Sequence, residues 1–148
     1  MRHIMKNAVI VSGGNINTDF ALDFLKKNTD ENTFLIAADR GLEFFEKTGL
    51  VPHIAVGDFD SLSESGRKFL ETLSNTEIIR LRPEKDDSDT QSAACLAMDR
   101  GVKQMIILGA TGNRVDHLMA NFGLLVLGKE RGCEILLVDL WKDRKSVV

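Results

Sequence analysis

The chain has 148 residues, 43% hydrophobic and 28% charged, which is the composition of one soluble globular domain with its own apolar core. A formal net charge of −3, without any lysine or arginine run, argues against broad nucleic-acid binding. No apolar run reaches the ~18 residues of a membrane span, and the first residues lack the apolar segment of a signal peptide. We therefore expect no membrane association and a cytoplasmic location.

Short apolar runs alternate with longer amphipathic runs along the whole chain. The predicted strands are Ala8–Val11, Thr33–Ala38, Ile54–Val56, Glu77–Leu81, Met105–Leu108 and Ile135–Val138. Strands without clean polar alternation, separated by helices, predict an α/β fold: a three-layer α/β/α, Rossmann-like domain with a mostly parallel sheet of about six strands. In such sheets ligands bind beyond the carboxyl ends of the strands, at the point where the strand order switches.

Residues with capping preferences mark where the helices between these strands begin and end. Thr18 is expected to cap the first helix. The tetrads Ser61–Glu64 and Ser88–Gln91 match the capping box, in which a hydroxyl and an acid or amide three residues later bond to each other's backbone. Glycine is expected to end three helices because it adopts the left-handed conformation readily, at Gly49, Gly101 and Gly132.

The first polar loop follows the first strand and has the sequence Ser12-Gly13-Gly14-Asn15. Glycine lets backbone N–H groups approach a phosphate closely, so Gly13, Gly14 and Asn15 are candidates for nucleotide binding. A simple tight turn explains the same residues equally well. The loop matches neither GxGxxG nor the Walker pattern, so neither dinucleotide binding nor P-loop chemistry is supported.

Two aspartates, Asp58 and Asp60, follow the third strand directly. In an extended segment this spacing puts both side chains on the same side, as a shared cation requires. Carboxylates that close repel each other unless a hard cation such as Mg²⁺ lies between them. An Asx turn followed by a helix cap is the structural alternative. Because Ser61 can serve as the cap, we favour metal or phosphate chemistry for the two aspartates.

A second acidic cluster, Asp86, Asp87 and Asp89, surrounds the predicted start of the fourth helix. The helix dipole favours each negative charge there by about 0.3–1 kcal/mol, which explains any one of them. Mutual repulsion offsets that gain when all three are present. We expect Asp89 to join the two aspartates after the third strand, and Lys85 to contact a nucleotide phosphate as a point charge.

A second glycine-containing turn, Gly109–Asn113, follows the fifth strand and leads into another helix. Arg114 suits phosphate recognition, and Asp116 could serve a metal-bound water or a substrate hydroxyl. His117, taken by itself, is more simply a hydrogen-bonded structural residue. Asp39, at the end of the second strand, is equally ambiguous in isolation.

Taken together, these segments resemble the catalytic domain of the thiamine pyrophosphokinases. The matching segments follow the family's order and spacing and cover nearly the whole chain: Gly13–Asn15, Ala38–Gly41, Pro52 with Gly57–Ser61, Lys85–Asp89, and Gly109–Asn121. Ser88 stands where a threonine is usual, and Asn113 where a glycine is common. The family carries a β-sandwich domain after this one, so residues 1–140 are expected to form the catalytic, ATP-binding domain and residues 141–148 a C-terminal stub without the sandwich.

The resemblance implies Mg²⁺-dependent transfer of a pyrophosphoryl group from ATP to the hydroxyl of thiamine, giving thiamine diphosphate and AMP. It implies that Asp58, Asp60 and Asp89 hold the metal, and that Asp116 completes the catalytic set. The residues implied in nucleotide and phosphate binding are Gly13, Gly14, Asn15, Asp39, Lys85, Ser88 and Arg114. It also implies a homodimer, because the thiamine pocket of the family usually forms across two subunits.

Two other functions stay open at this point. The pair Asp58 and Asp60 could be the nucleophile and acid of an aspartyl-phosphate phosphatase, although such a pair normally follows the first strand. A nucleotide-binding or regulatory module without catalysis is the alternative from outside enzymology.

Overall fold

The strands and helices alternate along the chain as expected for an α/β protein. The computed structural model describes residues 7–13, 18–60, 62–81, 89–109, 115–141 and 144–147, and for residues 89, 115–122, 139–141 and 144–147 it describes the backbone. The strands are β1 (Asn7–Val11), β2 (Thr33–Ala38), β3 (Ile54–Gly57), β4 (Glu77–Arg80), β5 (Gln104–Leu108), β6 (Glu134–Trp141) and β7 (Arg144–Val147). The helices are α1 (Thr18–Asn28), α2 (Leu42–Thr48), α3 (Glu64–Thr72), α4 (Asp89–Asp99) and α5 (Val115–Glu130).

These strands form one sheet in the order β4-β3-β2-β1-β5-β6-β7. Every neighbouring pair from β4 to β6 is parallel, which confirms the predicted mostly parallel sheet. The chain builds outward from β1 to β4 on one side and then returns to add β5 on the other. The strand order therefore switches between β1 and β5, and their carboxyl ends mark the expected ligand edge.

The antiparallel edge strand β7 was not predicted. It pairs with β6 from Val138 opposite Val147 to Trp141 opposite Arg144. Its sequence, Arg-Lys-Ser-Val, lacks the apolar run that revealed the other strands, because an edge strand can pair through its backbone while its side chains stay polar. The predicted domain boundary after residue 140 falls inside β6, and the relation to a further domain stays a prediction.

Two apolar cores lie on the two faces of the sheet and complete the three layers. Alternate residues of β1 belong to different cores: Ile10 packs with α4 and α5, whereas Val11 packs with α1, α2 and α3. Helix α4 buries a cluster of small side chains against β1, β2 and β3, namely Ala93, Ala94 and Ala97. Small residues allow close packing, which brings the start of α4 to the carboxyl edge of the sheet.

The helix ends agree with the predicted glycine stops. Gly49 ends α2 in the left-handed conformation, with φ 78°. After α4, Gly101 (φ 93°) is followed by Val102, whose N–H donates to the carbonyl of Ala97 over 3.1 Å. The same arrangement follows α5 at Gly132 (φ 74°). These glycines satisfy the last carbonyls of each helix, as the Schellman motif does.

The predicted cap of α3 is wrong by two residues. Ser63, not Ser61, is the N-cap residue, and its hydroxyl accepts a 3.1 Å hydrogen bond from the Gly66 N–H. Leu62, which directly precedes the cap residue, is buried in the core. The other two predicted caps are not decided, since Ser88 lies outside the described residues and Thr18 is itself the first residue of α1.

At the amino edge of the sheet, where the parallel strands begin, charged and polar side chains form hydrogen bonds between neighbouring elements. The Arg100 guanidinium makes two hydrogen bonds to Glu77 at the start of β4, one of them 2.8 Å long, and Arg131 donates to Asp99 over 2.7 Å. The first pair lowers the pKa of Glu77 through the arginine hydrogen bond. His53 Nδ1 accepts a 3.0 Å hydrogen bond from the Leu35 N–H, and partial burial lowers the pKa of this imidazole.

Among the described residues, no helix is long and apolar enough to cross a membrane.

Candidate active site

The turns after β1 and β2 pack directly against each other at the carboxyl edge. A short 3₁₀ segment, Asp39–Gly41, leads from β2 into α2. A Cβ atom on Gly41 would lie 1.8 Å from the Val11 carbonyl oxygen, and one on Gly13 would lie 2.9 Å from Arg40 Cβ. Only glycine fits at position 41, which explains why this residue is a glycine. This contact holds Asp39 beside the switch point of the sheet.

The first turn of α4 reaches the same edge. The hydroxyls of Ser12, just after β1, and Thr90, in the first turn of α4, share a 2.7 Å hydrogen bond. Thr90 is buried, so this hydrogen bond, which joins the end of β1 to α4, is partly shielded from solvent. The backbone of Asp89 therefore lies close to the end of β1, where the positive end of α4 favours anions.

The segment Asp58-Phe59-Asp60, here called the acid turn, follows β3. The Asp58 Oδ1 atom accepts a 3.0 Å hydrogen bond from the Asp60 N–H, and the Asp39 Oδ1 atom accepts one of 3.0 Å from the Phe59 N–H. Gly57 has φ 153°, and a Cβ atom there would lie 3.0 Å from Asp39 Cα. These contacts bring the turns after β2 and β3 together with three carboxylates on them.

The predicted extended conformation of the acid turn is wrong, and the shared cation stays a prediction. The segment is not extended, because Phe59 has φ 66° and Asp58 forms the Asx turn that was the structural alternative. Phe59 is nevertheless only 4% exposed, whereas Asp58 is half-buried and Asp60 exposed. The ring is thus buried in the core, while both aspartates keep access to solvent.

Two residues in this region have backbone conformations that L side chains rarely adopt. Asp39 has φ 49° and Phe59 has φ 66°. Aspartate tolerates the left-handed region, but for a bulky side chain it costs roughly 1–2 kcal/mol. Strain of this kind persists where surrounding contacts impose it, and it clusters at active sites and ligand clamps. The strained positions lie side by side at the edge where ligands are expected.

Two arginines that the sequence analysis did not single out contact the acid turn. The guanidinium carbon of Arg80 lies 5.5 Å from the centroid of the Phe59 ring, and Arg67 Nη2 donates to the Asp60 carbonyl over 3.0 Å. Arg80 ends β4 directly opposite Gly57 in the sheet. Its position as the last polar residue of a strand neighbouring the acid turn was the signal that could have identified it.

The structure brings together part of the predicted site among the residues that it describes, and the role of these residues stays a prediction. Gly13, Asp39, Asp58 and Asp60 lie on adjacent turns at one edge. Asp89 and Asp116 lie in the first turns of α4 and α5, where the backbone alone is described. The remaining predicted residues lie outside the described part of the chain: Gly14, Asn15, Lys85, Ser88 and Arg114. Within the described ranges no group of three or more metal-ligating side chains is found, so the three-carboxylate metal site stays a prediction.

Comparisons with known proteins agree with this fold. Residues 25–137 match the family model of the thiamin pyrophosphokinase catalytic domain, and the chain belongs to this family. It is 34% identical over 135 residues to the thiamine pyrophosphokinase of Bacillus subtilis (strain 168), covering 91% of this chain and 61% of that protein. The chain thus spans less than two thirds of the length of this curated relative. The aspartyl-phosphate phosphatase alternative receives no support from the comparisons.

Solved structures of the family share the fold. The crystal structure of thiamine pyrophosphokinase from Bacillus subtilis superposes with a TM-score of 0.76 at 32% identity, covering 89% of this chain and 60% of that one. The structure of the Geobacillus thermodenitrificans thiamin pyrophosphokinase gives a TM-score of 0.73 at 29% identity, covering 89% of this chain and 59% of that one. Both matches cover nearly all of this chain, so its α/β/α architecture is that of the family.

Proposed function

We propose that this chain carries the diphosphotransferase activity of its family, moving a pyrophosphoryl group from ATP to the hydroxyl of thiamine and releasing AMP. One observation supports this above the others: Asp39, Asp58 and Asp60 lie on adjacent turns at the switch-point edge, where sheets of this kind bind ligands. The curated relative that the chain resembles is named for the same reaction class.

The metal in this proposal is Mg²⁺, held by Asp58 and Asp60 together with Asp89. The acid turn suits it, because Mg²⁺ prefers oxygen ligands and is usually bound by one or two carboxylates, with waters and substrate phosphates completing the shell. Asp58 keeps its second carboxylate oxygen when Oδ1 accepts the Asp60 N–H, and the Asp60 carboxylate is exposed. When bound, the ion would neutralise the charge of the triphosphate and of the leaving AMP oxygen.

Besides holding the metal, the protein has to position its two substrates relative to each other. Pyrophosphoryl transfer requires the thiamine hydroxyl in line with the β-phosphorus, and holding both substrates in that geometry supplies much of the rate enhancement. Asp116 orients the hydroxyl in this proposal, and Asp39 positions substrate or nucleotide. The phosphate contacts come from the loop after β1 and from the starts of α4 and α5: Gly13, Gly14, Asn15, Lys85, Ser88 and Arg114.

Further parts of the proposal concern the assembly. The active form is a homodimer in which the partner subunit completes the thiamine pocket, and it works in the cytoplasm. Analytical ultracentrifugation with and without substrates tests the dimer, and a monomer that turns over at the full rate would contradict it.

The activity is tested by incubating the chain with ATP, Mg²⁺ and thiamine and separating the products. We expect AMP and thiamine diphosphate in equal amounts, and neither without Mg²⁺. Binding of ATP with Mg²⁺ but without AMP formation would instead identify a nucleotide-binding module. A covalent aspartyl adduct trapped by beryllofluoride would favour the phosphatase.

A further inference from the structure

Arg80 lies beside the acid turn and has no role in the function proposed above. We propose that Arg80 is a positioning residue for the acid turn: by stacking on Phe59 it stabilises the left-handed turn that keeps Asp58 and Asp60 on the open edge. The link to metal binding rests on the function proposed above. The structural part of the inference does not.

The first observation is that Phe59 needs external contacts to keep its conformation. Its φ of 66° is unfavourable for a phenylalanine, and a free Asp-Phe-Asp segment would leave it. Three contacts oppose that relaxation. The ring is buried in the core beside α2 and α3, the N–H donates to Asp39 over 3.0 Å, and the Arg80 guanidinium covers the ring at 5.5 Å.

The second observation is that the sheet fixes where Arg80 stands. Arg80 is paired with Gly57 in the register of β3 and β4, and the next residue, Leu81, donates its N–H to the Gly57 carbonyl over 2.9 Å. The two backbones are therefore locked together immediately before the acid turn. A side chain at position 80 reaches the Phe59 ring from a rigid strand, which is the requirement for holding a neighbouring turn in place.

The third observation concerns the partner of the guanidinium. None of the ion pairs among the described residues includes Arg80, and the aromatic ring is the contact that its head group makes there. An arginine over an aromatic face is attracted by the ring quadrupole. The contact with Phe59 is the route by which, in this proposal, Arg80 affects the two aspartates.

The test uses the full chain and two readouts. Amide hydrogen exchange measured by NMR reports the acid turn itself, through the N–H groups of Phe59 and Asp60. Mn²⁺ binding measured by electron paramagnetic resonance without nucleotide reports its metal affinity. We expect Arg80→Gln to speed exchange of both amides and to weaken Mn²⁺ binding, each by about two- to fivefold, the size of an exposed cation–π contact. Arg80→Lys, which keeps a cation, should recover part of both effects.

Controls separate positioning from general destabilisation and from direct contact. Arg100→Gln removes another exposed arginine, the one that pairs with Glu77 at the opposite end of β4, and it should change neither readout. Phe59→Leu keeps an apolar side chain but removes the ring, so Arg80→Gln should have no further effect when added to it. Both variants are checked for the folded state by their NMR spectra.

Two results would overturn the proposal. If Arg80→Gln leaves the exchange of the Phe59 and Asp60 amides unchanged, the stack does not hold the turn. If the effects of Arg80→Gln and Phe59→Leu on Mn²⁺ binding add, Arg80 acts on the bound ligand directly. Absence of AMP formation by the parent chain would remove the proposed function, but the exchange measurement would still decide this one.

Discussion

The charged residues at the amino edge of the sheet form ion pairs, whereas the aspartates of the acid turn at the carboxyl edge do not pair with described residues. At the amino edge Glu77 and Asp99 are each paired with an arginine, and the helices α2, α4 and α5 end at left-handed glycines. At the carboxyl edge neither Asp58 nor Asp60 joins any ion pair formed by the described residues. The backbone there adopts strained conformations at Asp39 and Phe59 instead.

This difference separates charges that are paired within the fold from the charges to which we assign a ligand in the proposed function. Exposed ion pairs contribute little each, but they leave no charge to be neutralised from outside. Carboxylates gathered on neighbouring turns repel one another, and the repulsion is relieved when a cation binds. Under the proposed function, a metal ion with bound phosphates would relieve this repulsion at the carboxyl edge, whereas the paired charges of the amino edge leave no such gain.

The strongest test of this contrast removes one charge from each edge. Asp60→Asn should weaken Mg²⁺-dependent ATP binding by about 100-fold or more, since loss of even an indirect metal contact typically costs 10–100-fold. We expect a similar loss for Asp89→Asn and a change of less than about 0.5 kcal/mol in unfolding free energy for either. Isothermal titration with ATP and Mg²⁺ measures the first quantity and urea denaturation the second.

Asp99→Asn is the matched control at the amino edge. It removes one carboxylate that pairs with Arg131 and should leave ATP binding unchanged. Equal ATP affinity in Asp60→Asn, Asp89→Asn and the parent chain would refute the metal assignment.

A second test compares two glycines. Gly41→Ala places a Cβ atom 1.8 Å from the Val11 carbonyl oxygen, and relieving this overlap should destabilise the protein by about 3 kcal/mol and displace Asp39. Gly49→Ala, at φ 78° with nothing within 4 Å of the added Cβ, should cost only about 1 kcal/mol and leave ATP binding unaffected. Thermal unfolding measures both, and equal losses would show that the close packing at position 41 is not essential.

The hydrogen bond between the turns after β2 and β3 gives a smaller effect. Asp39→Ala leaves the Phe59 N–H without its acceptor and should destabilise the protein by about 1–2 kcal/mol. Asp39→Asn keeps an oxygen at the same position and should recover most of that stability. Chemical denaturation distinguishes the two, and identical losses for both variants would mean that the carboxylate charge, not the acceptor, is what matters.

The smallest expected effect is the pH dependence of the amino edge. His53 has a pKa below its ordinary value of 6.5 because burial disfavours the charged ring, and its Nδ1 must be unprotonated to accept the Leu35 N–H. The unfolded chain therefore binds the proton more readily, so this contribution is complete above pH 6.5 and is lost as the pH falls through the lower pKa of the folded state.

The control for that prediction is His53→Asn, which offers an amide oxygen as acceptor and does not titrate. Its unfolding free energy between pH 7 and pH 5 should fall less steeply than that of the parent chain. Parallel pH profiles for the two proteins would show that His53 does not carry this dependence.

Most of the fold could be predicted from local patterns. The six apolar runs became β1 to β6 with ends within about one residue, except that β6 continues to Trp141. Buried parallel strands are apolar on both faces, so they stand out in a sequence. The edge strand β7 does not, because its residues Arg144 to Ser146 are polar and its pairing is made by the backbone.

The candidate site was predictable in location but not in detail. Polar residues directly after strands indicated the carboxyl edge, and Asp39, Asp58 and Asp60 do lie together there. The left-handed Phe59 could not be anticipated, since its intrinsic preference is for other conformations. The local tetrad pattern predicts Ser61 as the cap of α3, whereas Ser63 caps the helix and Leu62 beside it is buried in the core.

The amino-acid sequence by itself determined the alternation of strands and helices, the glycine stops and the edge at which the acidic residues gather, because each of these depends on neighbours a few positions away. The tertiary structure alone decided that Gly41 lies against Val11, that Arg80 covers Phe59 and that the two edges differ in how their charges are paired. Those contacts join residues far apart in the chain, and they exist only after the parallel strands have brought their ends together.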